Sequence, residues 1–267
     1  MTEFPRFQIL GVEVDLLTVT SFFALIRQTI EENTRCVIAN HNLHSVYLYH
    51  HDAEMCQFYQ DSQYRFIDGM PIVFWMKLLG LPAQRSNRFT STDWIDPFMK
   101  LAADSKWRIA YVGSEPDVVE HSAAILRRKY PSLDLMTLHG YFDSSPTGHE
   151  NQSVVEQINA VKPNVLFVGL GMPQQEHWIL NNAAQLEANC IIPIGACFDY
   201  IAGSKRIPPR WMSRLGFEWL GRLITEPRRL WRRYLIEPWF LLQYAAKDLN
   251  ERGWLKSVVL ALGALQP

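Results

Sequence analysis

Asp68 is the carboxylate best placed to do chemistry in this sequence: it directly follows the short run Tyr64–Ile67 and directly precedes Gly69. A carboxylate at the lip of a buried strand can accept the proton of an attacking hydroxyl, the work of a general base. An Asp-Gly pair is equally an ordinary turn. Asn40 and Asn42 stand two positions apart at the end of the preceding run, Cys36–Ala39, so both can face one side. Their amides donate and accept toward hydroxyl groups, and Asn42 also suits a helix N-cap. His41, His44, His50 and His51 raise the question of zinc, but no third ligand or carboxylate partner follows at a ligand spacing, so no metal site is expected. The segment Gly169-Leu170-Gly171-Met172-Pro173-Gln174-Gln175-Glu176 loosely resembles a phosphate loop. It lacks both the GxGxxG spacing and the Walker lysine, which argues against nicotinamide and P-loop chemistry. Cys197 has no identifiable histidine partner and reads as a packing cysteine. No Asp-x-Asp triad is present to hold a metal on a diphosphate, so cations from elsewhere would have to do that work.

Positioning such groups requires a scaffold, and the pattern supplies one. Phe7 to Leu17 alternates around Gly11 as a small hairpin. Strands are expected at Cys36–Ala39, Tyr64–Ile67, Arg108–Val112, Leu133–Leu138, Val165–Val168 and Cys190–Ile194. Helical periodicity fills Thr20–Glu32, Leu43–His51, Pro71–Leu79, Thr92–Ala103, Pro116–Tyr130, Ser153–Val161 and Gln174–Asn182. Alternating strands and helices imply an α/β, Rossmann-like three-layer sandwich with a mostly parallel sheet. Five strand ends carry glycine (Gly69, Gly113, Gly140, Gly169 with Gly171, and Gly195). Ligands bind outside the carboxyl ends of such sheets, and small residues there admit them to the backbone. From about Gly203 the alternation gives way to helix, with Pro208-Pro209 as the divide and restarts at Glu226-Pro227 and Glu237-Pro238. The organisation read here is a core of residues 1–203 and a helical C-terminal appendage of residues 204–267.

The net charge of −1 hides an asymmetry. Nine basic residues between Lys205 and Arg233 face only Glu218 and Glu226, a local +7 that leaves −8 elsewhere, and five of the nine tryptophans fall at Trp211 or later. Basic residues interleaved with tryptophan suit an anionic lipid surface or a phosphorylated ligand, although a solvated helical face has the same composition. With 48% hydrophobic and 20% charged residues the chain is of ordinary globular type. Four scattered cysteines fit a reducing compartment. The N-terminus has neither a basic nor an apolar leader region, and no run reaches the 18 to 20 apolar residues of a spanning helix. The expectation is a cytoplasmic protein, peripheral on a membrane, with an interfacial helix beyond Glu237 that carries Trp239, Phe240 and Trp254.

Taken together, these motifs resemble the WecG/TagA/CpsF glycosyltransferases (glycosyltransferase family 26). The resemblance runs from about Ile9 to Tyr234. It is carried by Asn42-Leu43-His44-Ser45, Asp68-Gly69-Met70-Pro71, Arg88-Phe89-Thr90-Ser91-Thr92-Asp93, His139-Gly140-Tyr141-Phe142, the segment from Gly169 to Trp178, and Gly195-Ala196-Cys197-Phe198-Asp199 with the stretch through Arg229. It implies an inverting, metal-independent enzyme of cell-surface or exopolysaccharide biosynthesis that moves a hexose, an N-acetylhexosamine or an N-acetylhexosaminuronic acid from a UDP-sugar to a polyprenyl-diphosphate-linked acceptor sugar at the inner membrane face. By resemblance, Asp68 is the base, and Asn40, Asn42, Arg88 and Gln175 surround sugar and phosphates. Tyr141, Gly169, Gly171 and Asp199 hold the nucleotide, while Arg222, Arg229 and Arg232 of the appendage neutralise it. No cofactor, metal or nucleic-acid partner is implied, and relatives can self-associate. Two positions depart from the pattern. Asn40 replaces a Thr common in enzymes of N-acetylmannosamine derivatives, and Gln174 replaces a common Lys or Arg. A non-catalytic UDP-sugar-binding protein is the alternative; an oxidoreductase is disfavoured by the missing dinucleotide fingerprint.

Overall fold

The computed structural model describes residues 4–205 and 218–251. The chain opens with a hairpin of β1 (Arg6–Ile9) and β2 (Val12–Asp15), followed by α1 (Val19–Glu31). Then come β3 (Cys36–His41), α2 (Leu43–His51), α3 (Ala53–Asp61), β4 (Tyr64–Ile67), α4 (Met70–Leu78) and α5 (Ser91–Ser105). The pattern continues through β5 (Arg108–Gly113), α6 (Pro116–Lys129), β6 (Asp134–Leu138), α7 (His149–Val161), β7 (Val165–Gly169), α8 (Gln174–Asn182), β8 (Cys190–Pro193) and α9 (Cys197–Ala202). Beyond residue 217 lie α10 (Glu218–Thr225), α11 (Pro227–Leu235), α12 (Glu237–Phe240) and α13 (Leu242–Glu251).

All six expected strands join one parallel sheet in the order β4-β3-β8-β7-β5-β6. Central strands are buried on both faces, and their side chains divide with a period of two. Ile109, Tyr111, Val165 and Phe167 face a layer built on Phe22, Trp94 and Phe98 from α1 and α5. Ala110, Val112, Leu166 and Val168 face Met55, Tyr59, Ile158 and Trp178 from α3, α7 and α8. The three-layer sandwich is therefore present. Next to the outer strand β4 sits the hairpin, where the buried Asp15 carboxylate accepts from the Arg65 N–H at 2.8 Å and from Arg6 Nε at 2.7 Å. That capping keeps an otherwise open sheet edge from pairing with another chain.

Three local features depart from expectation. β3 runs on to His41, so Asn40 lies inside the strand. Residues Ala53–Asp61 form a second helix immediately after α2, started by Asp52, whose side chain accepts from the Glu54 and Met55 N–H groups. The last helix is tied to the beginning of the chain: Asp248 is buried, and its Oδ2 accepts from the Leu10 N–H at 2.7 Å and Trp75 Nε1 at 2.8 Å. His44 Nδ1 and Glu237 Oε2, 2.6 Å apart, join α2 to α12. Residues 237–251 thus brace the hairpin, α2 and α4, while Trp239 and Phe240 stay exposed and Trp254 lies outside the described residues. No helix among the described residues is long and apolar enough to cross a membrane.

Candidate active site

Three contiguous depressions meet at the carboxyl ends of the strands, and Asp68 lines every one of them. The smallest, of about 100 Å³, collects Asn40, Asn42, Asp68, Gln175 and Gly195 under Arg233. The largest, of about 860 Å³, runs over β5, β7 and β8 past Ser114, Tyr141, Gly169, Gly171, Asp199 and Lys205. The third, of about 190 Å³, opens on the other side between the starts of α2 and α4 and the appendage. Arg233 on α11 also borders all three.

Asp68 is held by its own backbone. Its N–H donates to His41 O at 2.9 Å, and its carbonyl accepts from Arg88 Nε at 3.0 Å. Arg88 is steered in turn by Asp93 Oδ2 at 3.3 Å. The half-buried carboxylate is thereby presented at the junction with its main chain fixed from both neighbouring segments. Asn42 takes the capping role and also meets a cation. Its Oδ1 caps α2 by accepting from the His44 and Ser45 N–H groups, and it accepts from Arg233 Nη2 at 3.3 Å. Asn40 donates from Nδ2 to Pro193 O at 3.1 Å, and its carbonyl accepts from Tyr59 Oη at 2.8 Å.

Gln175 is buried and fixed at both ends of its amide. Oε1 accepts from the Gly195 N–H at 3.1 Å, and Nε2 donates to Glu176 Oε1 at 2.8 Å. Glu176 is fully enclosed, and burial pushes its carboxyl up to about 8. On the larger crevice, Asp199 accepts from Ser114 Oγ at 2.7 Å and pairs with Lys205 Nζ at 3.2 Å. Tyr141 is exposed at the rim, its hydroxyl donating to Glu115 Oε1 at 3.2 Å. The glycines separate by cause. A Cβ on Gly113 would lie 2.5 Å from Gly169 O, so that residue is small because neighbouring strands crowd it. Gly171, at φ +82°, and Gly195, at φ +55°, have open space around their Cβ positions, so a ligand can approach the backbone at both.

The cations divide differently from expectation. Arg222 and Arg229 have side chains outside the described residues. Arg232 is exposed, its guanidinium 5.9 Å from the Trp231 ring centroid, and it lines none of the three depressions. Arg233 takes the inward position instead. A signal for it exists in the spacing: buried Leu230 fixes which side of α11 faces the core, and Arg233 and Tyr234 follow at i+3 and i+4 on that side. The four histidines go separate ways. His41 stacks on Tyr59, His44 meets Glu237, His50 Nε2 bonds Leu10 O, and His51 Nδ1 bonds Tyr47 O. Among the described residues no group of three or more His, Cys, Asp or Glu could hold a metal ion. Burial pushes the Cys197 thiol up to about 12, so it is protonated and packed rather than poised for attack.

Comparison with known proteins adds a family to this geometry. The model of the "Glycosyl transferase WecG/TagA/CpsF family" matches residues 7–253, so the match reaches well past Tyr234 and takes in the whole brace. The chain is also similar to the N-acetylglucosaminyldiphosphoundecaprenol N-acetyl-beta-D-mannosaminyltransferases of Staphylococcus aureus strains NCTC 8325 / PS 47 and COL. Each is 26% identical over 237 residues, covering 85% of this chain and 87% of the relative.

Proposed function

Because the chain belongs to the WecG/TagA/CpsF family of glycosyl transferases, we propose that it transfers a sugar from a UDP donor to a polyprenyl-diphosphate-linked acceptor sugar with inversion. The observation that carries this reading is the place of Asp68, one carboxylate shared by a long polar crevice and a shorter pocket on its other side. A donor lying in the crevice would rest its uridine against Tyr141 and Asp199 and its phosphates over Gly171. The acceptor hydroxyl then approaches the anomeric carbon from the Asp68 side. Asp68 takes the hydroxyl proton as the new carbon–oxygen bond forms, and the bond to UDP breaks on the opposite face, so an α-linked donor gives a β-linked product. The relatives' names also describe a β-linked transfer.

Charge on the departing diphosphate needs a counterpart in the transition state. Arg233 and Lys205 line the crevice in which it would develop, which supports a reaction run on protein cations without a divalent ion. The amides of Asn40 and Gln175 beside Asp68 suit sugar hydroxyls or an N-acetyl group. The active form is proposed to lie against the anionic inner face of the membrane, with basic α11 and exposed Trp231, Trp239 and Phe240 as its contact surface. A panel of UDP-hexoses and UDP-N-acetylhexosamines, offered with a prenyl-diphosphate N-acetylglucosamine and read by mass spectrometry, tests the reaction. Repeating the assay with chelator and with added magnesium tests the absence of a metal requirement. Product from no donor in the panel rejects transfer, and a rate that vanishes with chelator rejects the metal-free mechanism.

A further inference from the structure

The 190 Å³ pocket beside Asp68 combines two guanidinium groups with apolar side chains. Arg88 lies against Asp68, and Arg233 against Asn42, while Met70, Trp219 and Pro238 supply apolar lining alongside His44, Thr90 and Tyr234. Met70 begins α4, a nine-residue helix that is apolar on two sides. One side, Ile72, Val73 and Met76, is wholly buried in the core beneath it. The other continues from Met70 to Phe74 and Leu78 at successive i+4 positions, one row along the helix. Phe74 is 55% and Leu78 50% exposed. A surface helix normally turns polar residues outward, so a second apolar row needs an occupant. This row spans about 12 Å at the helical rise of 1.5 Å per residue, and it starts inside a pocket that ends on the catalytic carboxylate.

We propose that this pocket and the Met70–Phe74–Leu78 row form the subsite for the lipid part of the acceptor, with the diphosphate beside Arg88 and Arg233 and the first prenyl units along α4. The assignment rests on the transfer reaction proposed above. Its argument is one of order. A prenyl-diphosphate sugar presents hydroxyl, then double negative charge, then hydrocarbon. The protein presents Asp68, then two guanidinium groups, then an apolar row. A free nucleotide or a soluble sugar matches the first two parts and leaves the third uncovered. A bilayer contact alone would account for exposed Phe74 and Leu78 but not for their continuity, through Met70, with a pocket that ends at Asp68.

The test uses the full-length chain in buffer without vesicles and two acceptors that carry the same diphosphate sugar, one on a farnesyl chain and one on a dimethylallyl chain. Wild type should favour the farnesyl acceptor. The Phe74→Ser, Leu78→Ser double variant should lose roughly tenfold to thirtyfold in kcat/KM on that acceptor, the loss expected for removing two partly covered apolar side chains, and stay within about twofold of wild type on the shorter one. Because both side chains are exposed, the fold should survive; the conservative Phe74→Leu, Leu78→Ile pair should restore the preference. A variant that keeps the full farnesyl preference overturns the assignment, as does a defect that appears only when vesicles are added, which would make the row a bilayer contact. Wild-type transfer to both acceptors without any chain-length preference overturns it too while leaving the reaction standing. Absence of transfer to either acceptor removes the reaction and the subsite together.

Discussion

Replacing Glu176 by Gln should change how stability depends on pH, in a direction the site geometry fixes. Glu176 lies fully enclosed behind Gln175, with Oε1 accepting from the Gln175 amide and no hydrogen-bond partner for Oε2 among the described residues. Burial therefore favours its neutral form and pushes the carboxyl from 4.5 up to about 8. Below pH 4.5 the group is protonated whether the chain is folded or not and contributes no pH dependence. Between 4.5 and about 8 the unfolded chain releases the proton while the folded one keeps it, so stability declines as pH rises. Above 8 both forms are ionised and the loss is complete. The whole gap corresponds to on the order of 5 kcal/mol. Glutamine copies the shape of the neutral acid and keeps the acceptor for Gln175, so it removes the decline. Urea unfolding at pH 5, 7 and 9 should show Glu176→Gln gaining at least about 2 kcal/mol on wild type across that range. Parallel profiles, or a variant that loses ground as pH rises, would refute the assignment of a buried neutral carboxyl at the back of the site.

Four further outcomes follow from named contacts. Asp68→Asn should cut transfer by about two to four orders of magnitude while leaving UDP binding, read by tryptophan fluorescence, within a few fold; retained turnover removes Asp68 from the mechanism. Arg233→Ala should lower kcat/KM for the donor by roughly tenfold to a hundredfold, and Arg232→Ala by much less, since Arg233 lines the crevice and Arg232 does not; equal losses would mean that α11 turns its other side inward during the reaction. Cys197→Ala should keep at least about a third of wild-type activity in a product assay, because a thiol held near 12 is no nucleophile. Asp248→Leu should cost roughly 1–3 kcal/mol in a urea melt by stranding the Leu10 and Trp75 N–H groups, and an unchanged midpoint would deny the clasp its role.

The strands were legible because most are short apolar runs with glycine, Asn or Asp at or near their ends, and that punctuation also marked the binding edge. Two helices were not. Ala53–Asp61 is separated from α2 by the single residue Asp52, so that cap is hidden beside histidines that draw the eye to metal chemistry. Cys197–Ala202 is six residues long with no side-chain cap, too short for a periodic signal. Asp68, Asn42 and Gln175 could be picked out as polar residues at strand ends or by resemblance, but their partners could not. Whether Gln175 leans on Glu176 or on solvent depends on burial that arises only when α8 packs on the sheet. The choice between Arg232 and Arg233 likewise depends on the rotation of α11, set by one buried leucine. Glycine gave a mixed message, since crowding between strands and access for a ligand select the same residue.

The clasp at Asp248 changes how the membrane question has to be asked. Cutting the chain before Glu237 looks from sequence like trimming a greasy tail, and a protein so trimmed would be judged by whether it still floats with liposomes. In the folded molecule that cut takes away the carboxylate on which the Leu10 and Trp75 N–H groups depend and lays bare the apolar underside of the hairpin. Such a protein would stick to lipid more, through damage, and conceal any loss of a genuine anchor. Stopping the chain after Glu251 leaves the keystone in place, and Trp239→Ser in the intact protein changes the outer surface alone.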